Sequence, residues 1–142
     1  MAPRVLQSLL LLAMLLGPTQ ADALCLGNDY SLNSEYGKAD HVVAARVINA
    51  RLVKDPEDPE GYAGVIYTVE IFRRWRGRNI GTLDVYSENT SARFDMDPGR
   101  SYLLFLSEFQ GTFFADNCGN SGAFGERGRE MAALDALTRT RP

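Results

Sequence analysis

The chain has few of the side chains from which metal centres and cysteine-rich scaffolds are built. Its 142 residues include one histidine, His41, and two cysteines, Cys25 and Cys118. A zinc site needs several histidine, cysteine or carboxylate ligands close together. We therefore expect no metal and no other cofactor. Two cysteines also exclude a scaffold that depends on several disulfides.

Catalytic patterns are equally scarce. There is no nucleophile-elbow sequence. Asp95, Asp97 and the acidic stretch 55–61 lack the regular ligand spacing and terminal glutamate of a calcium loop. His41 opens an apolar segment, and we predict that it is an ordinary, partly exposed side chain. We expect the protein not to be an enzyme. The alternative is a hydrolytic enzyme with a dispersed site, in which His41 meets an acid and a hydroxyl.

The charge balance argues against nucleic acid as a partner. Fifteen lysines and arginines face eighteen aspartates and glutamates, which gives a formal net charge of −3. A mildly acidic chain does not attract a polyphosphate by its overall charge. The sequence also has no internal repeat and no low-complexity tract, and its length fits one domain.

The first 23 residues have the layout of a secretory signal peptide. Arg4 supplies the positive start, residues 9–16 are an unbroken apolar run, and Ala21-Asp22-Ala23 offers small residues at the cleavage site. The apolar run is much shorter than the roughly 20 residues of a spanning helix. We therefore predict a signal peptide at 1–23 and a secreted or periplasmic domain at 24–142, with no membrane segment in the mature form.

The two cysteines of such an exported domain are expected to form one disulfide, Cys25–Cys118, because an isolated pair is usually oxidised outside the cytoplasm. The alternative is two free thiols. Leu24, directly before Cys25, disfavours a lipid anchor on that cysteine.

The mature chain contains five strand-like segments and one terminal helix. The strands alternate apolar and polar residues or are rich in β-branched residues. Tyr102–Leu106 is apolar on both faces, which predicts a central, covered strand. Met131, Leu134 and Leu137 recur at helical spacing and predict a helix at about 126–138. The predicted strands are 41–48, 65–75, 80–87, 102–106 and 111–114.

Five consecutive strands with apolar faces favour closure, because a closed sheet has no exposed edges. We therefore predict an all-β fold, a five-stranded Greek-key barrel of the OB type with a C-terminal helix.

Four arginines surround the single tryptophan, Trp75. Such a cluster predicts a contact for a phosphate, a sulfate or an acidic partner. The alternative is the end of an edge strand, where positive charge discourages pairing with another sheet. The four are Arg73, Arg74, Arg76 and Arg78.

The order of these features resembles the TIMP/netrin-like domain, the OB-fold module of tissue inhibitors of metalloproteinases and of many small bacterial exported proteins. The resemblance begins with a cysteine just after the cleavage site and spans most of residues 25–122. Its further parts are Ala39–Val47, Tyr67–Ile71 followed by Trp75-Arg76-Gly77, Pro98–Phe105, and Cys118-Gly119 followed by Ser121.

This resemblance implies a non-enzymatic binding domain with a protein partner, and a contact surface at Leu24, Cys25 and Leu26. An alternative is a true metalloproteinase inhibitor. In that activity the mature chain begins with cysteine, whose amino group and carbonyl chelate the catalytic zinc. It requires cleavage directly before Cys25, whereas the favoured cleavage leaves Leu24 in front.

Overall fold

The computed structural model describes Cys25 and residues 27–140. The predicted signal peptide, Leu24 and Leu26 lie outside the described residues. The described chain forms two α-helices, six strands and a short 3-10 helix. In chain order these are α1 (Leu32–Lys38), β1 (His41–Lys54), β2 (Tyr62–Arg76), β3 (Thr82–Glu88), β4 (Ser101–Phe109), β5 (Thr112–Ala115), β6 (Gly122–Ala123), the 3-10 helix (Phe124–Glu126) and α2 (Gly128–Arg139).

Five of the strands pair in a ring. The order is β1–β2–β3–β5–β4, and β4 pairs back onto β1. All pairings in the ring are antiparallel except that of β3 with β5, which are parallel and meet at Val85 and Phe113. β6 adds to β4 beside the ring. The expectation of a mostly β fold with a C-terminal helix is thereby confirmed.

The first hairpin is longer than its apolar residues predicted. β1 continues to Lys54 and pairs with β2 up to Tyr62. The added residues are mostly exposed or half-buried, and backbone hydrogen bonds between the two strands hold them in place.

The main core fills the inside of the ring. It is built from alternate residues of the strands, and Phe94 and Met96 of the β3–β4 connection also pack into it. β4 lies at the centre of the fold, as predicted, because residues on both of its faces are buried. Tyr102, Leu104 and Leu106 point into this core.

A second core covers the outer face of β1 and β4. Leu103 and Phe105 of β4 belong to it, together with Tyr36 of α1 and Leu134 of α2. The predicted terminal helix is confirmed, and Leu134 of its apolar stripe is fully buried. A seven-residue helix, α1, precedes β1 in addition to the strands and the terminal helix named from the sequence. Burial of Tyr36 against the sheet stabilises this helix more than its sequence pattern indicated.

The prediction for His41 was wrong, because its side chain is buried, with an exposed fraction of 1%. Gly77, at φ +105°, lies directly against the imidazole, and a Cβ at that position would collide with His41 Nδ1. The ring also packs edge-on against Phe113, with centroids 5.2 Å apart. A glycine distant in sequence thus makes the space that buries this histidine.

Candidate functional site

A disulfide joins the segment that precedes α1 to the segment that follows β5. Cys25 and Cys118 are bonded, with their Cα atoms 5.4 Å apart and a sequence separation of 93. The pairing agrees with the sequence prediction. A disulfide is compatible with an extracellular location.

Glu35 of α1 fastens the segment that follows Cys118. Its carboxylate accepts hydrogen bonds from the backbone N–H of Asn120 at 2.7 Å and from the Asn120 side-chain amide at 2.5 Å. Gly119 lies so close to this carboxylate that a Cβ there would collide with it. The helix and the disulfide-bonded segment are therefore held together by charge-assisted hydrogen bonds as well as by the disulfide.

The same segment is also tied to the sheet and to the N-terminal residues. The buried hydroxyl of Ser121 accepts a hydrogen bond from the backbone N–H of Phe105 at 2.9 Å. The Asn120 side chain donates to the backbone carbonyl of Tyr30 at 2.8 Å. The cysteine–glycine–serine motif of the sequence is thus a structural clamp beside the N-terminal segment.

Two adjoining cavities lie next to this clamp, and together they are called the cross-strand groove. Their volumes are about 260 and 220 Å³. Both are lined by Ser107 of β4, by Phe114 of β5 and by Asp116. Residues 28–30 and α1 form the wall of the first cavity, and β3 with residues 90–93 forms the wall of the second.

The groove lies on the outer face of the ring because side chains alternate along a strand. Leu106 and Phe113 point into the main core, and their neighbours Ser107 and Phe114 therefore point outwards. The Phe114 ring contacts Tyr86 of β3 edge-on, with centroids 6.0 Å apart. The floor of the groove is therefore partly aromatic and is carried by three strands.

The groove carries an excess of negative charge. Its lining includes four carboxylates and two cations, for a net charge of −2. The carboxylates are Asp29, Glu35, Glu88 and Asp116, and the cations are Lys38 and Arg93.

Two of these carboxylates are oriented by their neighbours. Asp116 accepts hydrogen bonds from the backbone N–H of Cys118 at 2.9 Å and from the Tyr30 hydroxyl at 3.3 Å. The backbone N–H of Ser31 donates to Asp29 at 2.9 Å, and this bond lowers the pKa of Asp29. A carboxylate has four lone-pair positions, so both groups keep acceptor capacity for a ligand.

Of the three predicted contact residues, Cys25 is the one that the structure describes. Its disulfide partner Cys118 donates its backbone N–H to Asp116, which lines the groove. Cys25 and the cross-strand groove are therefore neighbours. The groove itself was not predicted from the sequence.

The four arginines of the predicted anion contact each bind a different group of the protein itself. Their partners are the Asp135 carboxylate for Arg73 (2.5 Å), the Asn79 side chain for Arg74 (2.7 Å), the Ala39 carbonyl for Arg76 (2.6 Å) and the Glu108 carboxylate for Arg78 (2.6 Å). This arrangement ties β2 and the residues after it to several other elements.

Trp75 and Arg73 hold α2 on the sheet through one carboxylate. The indole N–H of Trp75 donates to Asp135 at 2.7 Å, and the Arg73 guanidinium lies 4.6 Å from the centre of the indole. The hydrogen bond from Trp75, followed by the one from Arg73, lowers the pKa of Asp135 from its ordinary value of 3.8.

Asp135→Asn is therefore expected to lower the melting temperature at pH 7. A carboxyl group whose pKa is lowered in the folded state stabilises the fold at pH values above its unfolded-state pKa. This stabilisation is lost as the pH falls through the lower pKa of the folded state. The difference in melting temperature between wild type and variant should become smaller below about pH 3.8. Thermal melts followed by circular dichroism from pH 7 to pH 2.5 measure it. Glu57→Gln, in the exposed hairpin loop, is the matched control. A difference that stays constant down to pH 2.5 would contradict the assignment.

Neither cavity of the groove reaches His41. The acid beside this histidine is Glu108, whose Oε2 lies 3.7 Å from His41 Nε2. Among the described residues, no three or more His, Cys, Asp and Glu side chains are grouped so that they could hold a metal ion. In the same part of the chain, no helix is long and apolar enough to cross a membrane.

No model of a known protein family matches the chain, and no curated protein matches it. The resemblance to the TIMP/netrin-like domain rests on sequence features between residues 25 and 122.

Proposed function

We propose that the protein is an exported, non-enzymatic binding domain of the TIMP/netrin-like type, and that its five-stranded ring is a barrel of the OB type. The order of the ring and its single parallel pairing support the barrel, since an OB fold is a five-stranded Greek-key barrel. The disulfide supports an exported location.

The observation that carries the binding function is the cross-strand groove beside the disulfide. The two adjoining cavities have volumes of about 260 and 220 Å³, and each has room for one side chain of a partner protein. The hydrogen bonds between Glu35 and Asn120 hold the α1 wall of the first cavity in place, and a rigid wall lowers the entropic cost of binding.

The two alternatives make different demands on the same molecule. Zinc chelation by Cys25 requires that this residue carry the mature amino terminus. A hydrolytic site would need a nucleophile beside His41, and the contacts of the buried imidazole with Phe113, Gly77 and Glu108 do not supply a hydroxyl.

Site-specific photo-crosslinking in cells that export the full-length protein tests the proposed function. A photoreactive phenylalanine analogue replaces Asn28 at the edge of the groove or, as the control, Glu57 in the hairpin loop; both positions are exposed. We expect a discrete adduct with another protein from position 28 and none from position 57. Equal adducts from both positions, or none from either, would contradict the proposal.

A further inference from the structure

We propose that the cross-strand groove binds an extended, basic segment of the partner protein, with side chains i and i+2 of that segment in the two cavities. This inference rests on the proposed binding function and adds the chemical class of the partner.

The geometry of the groove fits an extended segment. The two cavities adjoin one another at Phe114 and Asp116, which line both of them. In an extended chain, residues i and i+2 point to the same side and stand about 6–7 Å apart. Two cavities that share Ser107, Phe114 and Asp116 in their linings can therefore receive side chains i and i+2 of one extended segment.

The charge of the groove fits a basic segment. With a net charge of −2, the lining would repel an acidic segment and attract a cationic one. Asp116 lies between the two cavities and is already oriented by Cys118 and Tyr30, so it can accept a further charge-assisted hydrogen bond without reordering.

The aromatic floor serves the same class of ligand. Lysine and arginine carry apolar stems that pack on aromatic surface while the charged group remains near carboxylates. The pair formed by Phe114 and Tyr86 offers ring surface for such a stem, and Glu88 stands at the exposed edge of the same cavity. One cavity therefore offers aromatic rings to the apolar stem of a lysine or arginine and a carboxylate to its charged group.

Titration of the isotopically labelled full domain with three short peptides tests this inference by NMR. The probe is acetyl-Thr-Lys-Val-Lys-Thr-amide, whose lysines are at i and i+2. The first comparison peptide has glutamate in place of both lysines. The second, acetyl-Thr-Lys-Lys-Val-Thr-amide, keeps the charge but places the lysines on opposite sides of an extended chain.

We expect saturable shifts of the backbone signals of residues 28–30, 86–88 and 114–116 with the first peptide, and weaker binding of the other two. The double variant Asp116→Asn with Glu88→Gln should weaken the binding of the first peptide about fivefold, because exposed charge pairs contribute modestly. The control, Glu57→Gln with Glu60→Gln, makes the same change of charge at the exposed hairpin loop and should leave the affinity unchanged.

Equal binding of the two lysine peptides, equal losses in the two double variants, or no shifts in the groove would overturn the inference. None of these results would affect an adduct obtained by crosslinking at position 28, so failure of the inference and failure of the proposed function remain distinguishable. The asparagine and glutamine variants preserve side-chain shape, and their amide spectra report directly whether they fold.

Discussion

Cys25→Ser combined with Cys118→Ser is expected to lower the melting temperature by roughly 10–20 °C. The disulfide closes a loop of 93 positions, and its loss frees the unfolded chain. On the chain-entropy model a loop of this length is worth about 4–5 kcal/mol, which in a domain of this size corresponds to a shift of that order. Calorimetry of the purified mature protein measures it.

Each single cysteine variant should lose as much stability as the double variant, because either one breaks the same bond. Wild type melted in the presence of a reductant is the matched control, and its midpoint should fall to that of the double variant. A single variant with the same melting temperature as wild type would show that the disulfide does not stabilise the fold.

Leu134→Ala is expected to destabilise the fold by about 2–5 kcal/mol, the usual range for a leucine truncated in a packed core. Leu134 is fully buried between α2 and the outer face of the sheet, where Leu103 and Phe105 belong to the same core. Truncation leaves a cavity and removes the principal apolar contact of the helix. Equilibrium unfolding in urea measures the change.

The matched control for that substitution is Leu137→Ala, one helical turn further along α2. Leu137 is only half-buried, so its truncation should cost clearly less. Equal losses of unfolding free energy in the two variants would contradict the docking of α2 through Leu134 onto the second core.

Elements whose sequence repeats the period of their own structure were predicted well. Tyr102–Leu106 is apolar at every position, and the structure buries both of its faces. Leu83 and Val85 alternate with polar residues, and both lie in the main core. The stripe through Leu134 also predicted α2 to within two residues of its observed start.

Features that depend on contacts between distant parts of the chain were missed. α1 has one buried residue, Tyr36, and Glu35 of the same helix binds Asn120, 85 positions away. The burial of His41 requires Gly77 to come close, and nothing near His41 in the sequence indicates that approach.

The candidate groove was not predicted from the sequence. Its lining comes from α1, three strands and four connecting segments, so no local motif marks it. Single acids such as Asp116 and Glu88 resemble ordinary surface residues until the pairing of β3, β4 and β5 brings them to one groove.

Intact-mass analysis with N-terminal sequencing, before and after reduction, tests most directly whether the protein is exported and closed by the Cys25–Cys118 disulfide. We expect a chain that begins at Leu24 and gains the mass of two hydrogen atoms on reduction, as an exported domain closed by the Cys25–Cys118 disulfide would. A start at Cys25 with a free amino group would favour zinc chelation instead. An unprocessed chain would contradict export, and a mass that reduction leaves unchanged would contradict the disulfide.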